Sequence, residues 1–242
     1  MADLIYREVV NDLKKRILSG EFADRKFPDE RHLSESYQVS RSTAKRALNV
    51  LSEQGIVFKK RGSGTYVNPL YLKDKSIFRF EGKNLGVTDS LQIGDEQPQS
   101  DILDYQVIAA TPELQQDLFL SSSDFVYRIK RLRIFEEQPV IIETGYIPIK
   151  ILPDLSPDAV KTSIFNYLNA AQGKSVTRSF LSISVAPSTV EDRQLLHLSA
   201  TEPVGVMDGI FFLDDGTPFE VSNMRLHYQY MKYNTFVNLN ED

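Results

Sequence analysis

Residues 27 to 67, FPDERHLSESYQVSRSTAKRALNVLSEQGIVFKKRGSGTYV, constrain the fold more than any other stretch. Pro28 followed by Asp29 suits a helix start, because the carboxylate can accept a free backbone N–H of a short helix running to about Tyr37. Gln38 and Val39 then make a tight turn. Ser40 can cap a second helix in which Ala44, Leu48 and Leu51 share one apolar stripe, and Gly55 closes it. Arg41, Ser42, Thr43 and Lys45 fall in the first turns of that helix, largely off the stripe, where a helix entering the major groove presents its reading residues. Ile56 to Lys60 and Thr65 to Val67 then read as two short strands joined by Arg61-Gly62-Ser63-Gly64, a basic tip whose glycines allow positive φ. Alone, Ser-Arg-Ser-Thr is equally a polar helix start. Two crossed helices followed by a basic hairpin form a winged helix-turn-helix, whose wing can lie along phosphates while the second helix reads bases.

These residues resemble the DNA-binding domain of the GntR family of bacterial transcription factors. The resemblance rests on Pro28-Asp29-Glu30-Arg31, Val39-Ser40-Arg41-Ser42-Thr43 and Gly62-Ser63-Gly64-Thr65-Tyr66-Val67. Asp29 stands where serine is usual, and Lys45 where arginine is frequent; a lysine is a point charge without the planar fork that pairs with guanine. The resemblance implies DNA contacts from Arg31, Ser40, Arg41, Ser42, Thr43, Lys45, Arg61 and Gly62.

Charge is divided along the chain. Residues 1 to 70 carry 13 Lys+Arg against 9 Asp+Glu, a net +4, whereas the remainder carries 15 against 24, a net −9, giving −5 overall. The basic excess sits with the winged-helix pattern, and an acidic remainder is repelled by DNA, so the second half has another task. With no cysteine there is no disulfide framework and no thiolate for zinc or nucleophilic catalysis. His32, His197 and His227 have no second ligand at metal spacing and are expected in structural roles, without a cofactor. The N-terminus lacks the pattern of a signal peptide and no stretch approaches a membrane span, so a cytoplasmic protein with no membrane partner is expected.

In chain order, Leu4, Ile5, Val9, Leu13 and Ile17 predict a first helix over residues 4 to 18, ending before Gly20. Residues 68 to 100 lose periodicity and read as a linker holding one short element around Ser76 to Phe80. The expected division is a DNA-binding domain over 1–69, a linker over 70–95 and an effector-binding and dimerisation domain over 96–242. In the last segment, Ile102 to Ala109 and Val126 to Phe135 read as strands, with a helix opened by Thr111-Pro112 between them. Val140 to Ile147 pairs with the preceding strand, Ser163 to Ala171 is helical up to Gly173, and Val176 to Val185 is a strand. Ser188 with Glu191 predicts a capping box. Val204 to Leu213 and Phe219 to Tyr228 flank the hairpin signal Asp214-Asp215-Gly216-Thr217. The fold class is α+β, a winged helix-turn-helix followed by a mostly antiparallel sheet with helices.

Tyr127, Ile129, Arg131, Arg133 and Phe135 alternate onto one strand face, so the two arginines stand about 7 Å apart, pointing the same way. Two guanidinium forks so placed suit a carboxylate or phosphate; they equally suit a solvated face or pairing with Glu143 of the neighbouring strand. Arg131-Leu132-Arg133, Glu143-Thr144-Gly145-Tyr146-Ile147-Pro148, Ser163-Ile164-Phe165 with Tyr167-Leu168, and Asp215-Gly216 with Pro218-Phe219-Glu220 resemble the UTRA effector domain of the HutC subfamily. That resemblance implies a chorismate-lyase-like fold in which Arg131, Arg133 and Ser163 hold an anionic group, often a sugar phosphate. Glu143 and Glu220 take its polar remainder, and Phe165 stands where sugar-phosphate binders can carry tyrosine. A further serine or threonine before the first strand is either Thr88 or Ser90. The expected function is a homodimeric repressor that reads an inverted-repeat operator in double-stranded DNA and is released by a small anionic effector. The alternatives are a regulator whose second domain only dimerises, and a chorismate-lyase-like enzyme using Glu143 or Glu220 for proton transfer.

Overall fold

A computed structural model describes residues 2–22, 24–73, 78–80 and 98–233. The chain divides into two compact units, one holding the elements up to Lys73 and the other those from Phe78 onward. The alternatives Thr88 and Ser90, and most of the expected linker, lie outside the described residues.

In the first unit, helix α1 spans Ala2–Leu18, α2 Glu30–Ser36 and α3 Arg41–Glu53. Each of the two short helices begins where a side-chain oxygen satisfies a free amide. The Asp29 carboxylate accepts from His32 N at 2.9 Å, and Ser40 Oγ accepts from Thr43 N at 3.1 Å. Gln38, at φ 52°, turns the chain between them. Leu13, Ile17, Leu33, Leu51 and Ile56 close the core. Ile5 is exposed and Val10 is buried in its place, because the packed stripe of α1 runs through Val9, Val10, Leu13 and Ile17. Strands β2 (Val57–Lys60) and β3 (Gly64–Val67) form the wing, with Gly62 at φ 72° in its turn. A strand the sequence reading did not contain, β1 (Lys26–Phe27), pairs with β3. Helix α4 (Pro69–Lys73) occupies the start of the expected linker.

The second unit is built on a six-stranded antiparallel sheet. Its strands are β5 (Gln99–Ala109), β6 (Phe125–Phe135), β7 (Gln138–Pro148), β8 (Val176–Pro187), β9 (Pro203–Leu213) and β10 (Pro218–His227), in the order β5-β6-β7-β10-β9-β8. Two short strands, β4 (Phe78–Phe80) and β11 (Met231–Tyr233), pair with each other. Helices α6 (Pro157–Val160) and α7 (Ile164–Gln172) pack on the face carrying Tyr127, Ile129 and Ile147. Helix α5 (Pro112–Asp117) packs against Val126 on the opposite face, where the segment following α8 (Val190–Leu195) covers Ile142 and Val204. The central strands are thus covered on both sides.

The cap of α8 corrects one expectation. Thr189 is the N-cap and Asp192 the reciprocal acceptor, one residue later than Ser188 and Glu191. Asp192 is completely buried and is gripped by Arg225 of β10 through two bonds of 2.7 Å, whereas Glu191 faces outward and pairs with Lys130. The tertiary ion pair chooses between two cap patterns that the local sequence offers equally. Among the described residues no helix is long and apolar enough to cross a membrane.

Candidate functional site

The first surface is the start of α3 with the wing. Arg41, Ser42 and Lys45 are exposed on the side of α3 away from Ala44, Ala47, Leu48 and Leu51, which face the core. Ser40 Oγ lies 2.8 Å from both Ser42 Oγ and Thr43 Oγ1, so these three hydroxyls form one local network around the cap. Arg61 and Gly62 are exposed at the wing tip beside Lys59 and Lys60, giving a basic ridge. Arg31 stands apart on α2, exposed and paired with Glu35 at 3.0 Å. Asp29 carries a negative charge beside this surface, but its carboxylate is held by the His32 amide and, at 2.8 Å, by the His32 ring, which lower its pKa.

The second site lies on the inner face of the large sheet. Arg131, Arg133, Glu143 and Glu220 are all at most 4% exposed, so the solvated-face alternative for the arginines does not apply. Register makes the arrangement: Arg131 sits opposite Glu143 across β6 and β7, and Glu143 opposite Met224 across β7 and β10. Glu143 Oε2 accepts from Arg131 Nη2 at 2.8 Å and from Arg133 Nη2 and Nε at 3.0 and 3.1 Å, so one carboxylate oxygen bridges both forks. Arg133 Nη1 donates to Ser100 Oγ at 2.6 Å. Arg131 Nη1 donates to the carbonyls of Val160 and Thr162 at 2.9 and 3.3 Å, tying the sheet to the turn between α6 and α7. Ser163 follows that turn and caps α7, and Phe165 one residue into the helix meets Phe211 and Phe219 edge-on.

Charge within the cluster is uneven. Burial raises the pKa of Glu143, yet Arg131 and Arg133 outweigh it and hold the carboxyl below its usual range. Burial, reinforced by the Glu143 carboxylate and only partly offset by the arginines, pushes Glu220 up to about 8. Burial brings Arg133 down to about 10, still well above neutrality. At neutral pH the four groups are therefore two guanidinium cations, one carboxylate and one neutral carboxylic acid, which leaves one positive charge in excess. Among the described residues, Arg131 Nε and Ser222 Oγ are buried without a hydrogen-bond partner, an arrangement that costs on the order of 1–3 kcal/mol per group unless something fills it. Gly145 leaves room for Glu220, because a Cβ at this position would overlap Oε1 of Glu220 and force its carboxyl to shift.

The sequence reading missed Ser100, Gly145 and Ser222. Ser100 falls at the end of the stretch from 68 to 100 that lacks periodicity, ahead of the first strand expected at Ile102. Ser222 continues the alternation of Glu220 and Met224, a signal readable once β10 is accepted as a strand.

The gntR family of bacterial regulatory proteins matches residues 5–67, and the UTRA domain family matches residues 94–232, more than half of the chain. The HTH-type transcriptional regulator GmuR of Bacillus subtilis is 30% identical over 221 residues, covering 91% of this chain and 92% of its own. The chain belongs to the gntR family of regulators with a UTRA domain. A further gntR-type relative is the mannosyl-D-glycerate transport/metabolism system repressor MngR of Escherichia coli, 29% identical over 219 residues, with 90% of this chain and 89% of MngR covered. Among solved structures, the possible transcriptional regulator YydK of Bacillus subtilis superposes with a TM-score of 0.75 at 25% identity, covering 97% of this chain and 99% of its own. As a gntR-family member the chain is a DNA-binding transcriptional regulator with a small-molecule effector domain, not an enzyme, so the lyase alternative falls.

Proposed function

We propose that this regulator is a dimeric repressor that reads an inverted repeat with α3 and the wing and is released by a small anionic metabolite of the sugar-phosphate or sugar-acid class. The observation that carries the effector class is the buried pair Arg131 and Arg133, with one cation in excess and Arg131 Nε left open for an anionic oxygen. Ser163 and the α6–α7 turn supply the adjoining polar wall, Glu143 and Glu220 take hydroxyl or amino groups, and Phe165 lines the apolar side. MngR, named as repressor of a mannosyl-D-glycerate system, makes an anionic sugar derivative a reasonable class. Two bound protomers place their α3 helices on half-sites roughly one helical turn apart. The test is a thermal-shift panel of sugar phosphates and sugar acids on the full chain, since a ligand of the folded state raises the midpoint. The expected hit is lost in Arg131→Ala/Arg133→Ala while operator binding persists; a double variant with a wild-type response refutes the anion site.

A second reading has its own support. Glu143 already bridges both arginines, which is how a purely structural ion cluster would look. In that case the second unit only dimerises the protein, and no member of the panel shifts its midpoint.

A further inference from the structure

We infer that β8 is the seam of the dimer, pairing antiparallel with β8 of a second copy to join the two six-stranded sheets; this rests on the dimeric reading above. Among the described residues strand β8 ends the sheet order, so the outward-pointing backbone N–H and C=O groups of its regular run from Arg178 to Ala186 have no strand partner. It also exposes apolar side chains on both faces: Phe180 is 70% exposed on one, and Val185 is 72% exposed on the other, beside Ile183. The pairing Ile183 with Met207 and Val185 with Gly205 puts these two on the face of Met207, which is buried in the core. A free edge strand of this kind is a template for another strand.

The opposite edge differs. Strand β5 carries Asp101 and Asp104 and a bulge within its run, between Ile102 and Asp104, whereas the bulge of β8, between Val176 and Arg178, lies at its very start and leaves Arg178 to Ala186 in regular register. Arg178 is the one charged residue in β8. An antiparallel pairing about a two-fold axis at Ser182 sets Leu181 of each copy opposite Ile183 of the other, and Arg178 opposite Ala186. No like charges meet, and the exposed apolar groups gain cross-strand neighbours. The occupant that fits this edge is therefore the same strand from a second copy.

Ser182→Lys/Val185→Lys tests the seam, because Ser182 and Val185 are exposed and the change at Ser182 puts two ammonium groups face to face on the axis. Light scattering on the full chain across a dilution series is expected to give a wild-type dimer and a variant whose dissociation constant is raised at least about a hundredfold. A folded variant that dimerises like wild type overturns the inference and leaves the dimeric reading standing. A wild-type monomer at every concentration overturns the dimeric reading itself. Hydrogen exchange on wild type guards against a misfolded variant: amides of residues 178–186 slow as the dimer forms, and those of β5 do not. Unchanged exchange in β8 overturns the inference.

Discussion

Among the described residues of the effector domain, Glu220 is the one carboxyl whose pKa the fold pushes well up, and Glu220→Gln isolates it. The carboxyl has an ordinary value of 4.5 and is pushed up to about 8 in the folded chain, by burial first and by Glu143 second. Because the folded value is the higher one, the contribution to stability is complete below the unfolded value and is lost as pH rises through the folded value. Each pH unit in that window is worth about 1.4 kcal/mol, so wild type gives up on the order of 5 kcal/mol between about pH 4.5 and about pH 8. The groups facing Glu220 are Glu143, Arg131 and Arg133. Glu143 titrates below this window, Arg133 above it, and all three are present in both proteins. Glutamine keeps the shape of the protonated acid and cannot ionise. Urea unfolding of the ligand-free chain at about pH 5.5 and about pH 8 is expected to show wild type losing on the order of 3 kcal/mol more than Glu220→Gln. Parallel pH profiles for the two proteins would refute the placement of a neutral acid in this cluster.

Arg41→Ala is expected to weaken specific operator binding by about 1–3 kcal/mol without changing the unfolding midpoint, read by fluorescence anisotropy; unchanged affinity removes Arg41 from the interface. Gly145→Ala forces Glu220 off its position, so it should destabilise the chain by about 1–3 kcal/mol in urea and shift the titration of Glu220. Asp192→Ala removes both the capping box and the partner of Arg225, and is expected to cost about 2–4 kcal/mol. Glu191→Ala, on the exposed neighbour, should cost less than about 1 kcal/mol. Equal losses at the two positions would restore the cap pattern expected from the sequence.

What the sequence disclosed was local. Asp29, Ser40, Thr111 and Ser163 each stand one residue before a helix with a side-chain oxygen on a free amide, because a cap is decided within four residues. The period of two over Tyr127 to Phe135 placed both arginines on one face before any partner strand was known. Strand β1 escaped because two residues carry no period, and α4 because five residues opening on a proline look like a linker. The rest is set by strand order. That β10 lies beside β7 rather than at an edge brings Glu220 over Gly145 and Ser222 between two glycines, Gly145 and Gly209, and no local pattern encodes that adjacency.

If the effector binds at the ion cluster, as proposed, the cluster also limits how that effector acts. An anion entering this site meets guanidinium groups that already have partners, so it gains only the difference between its own bonds and those of Glu143, Ser100 and the two carbonyls at Val160 and Thr162. The open Arg131 Nε is the exception, since a bond there displaces nothing within the protein. The remaining bonds of Arg131 tie β6 to the α6–α7 turn. A ligand that takes the Nε leaves that tether intact, whereas one that competes for Nη1 loosens it. The two modes predict opposite changes in amide exchange at residues 160–164, slower for the first and faster for the second. Coupling to DNA release can be no larger than the free-energy difference the ligand feels between the two arrangements.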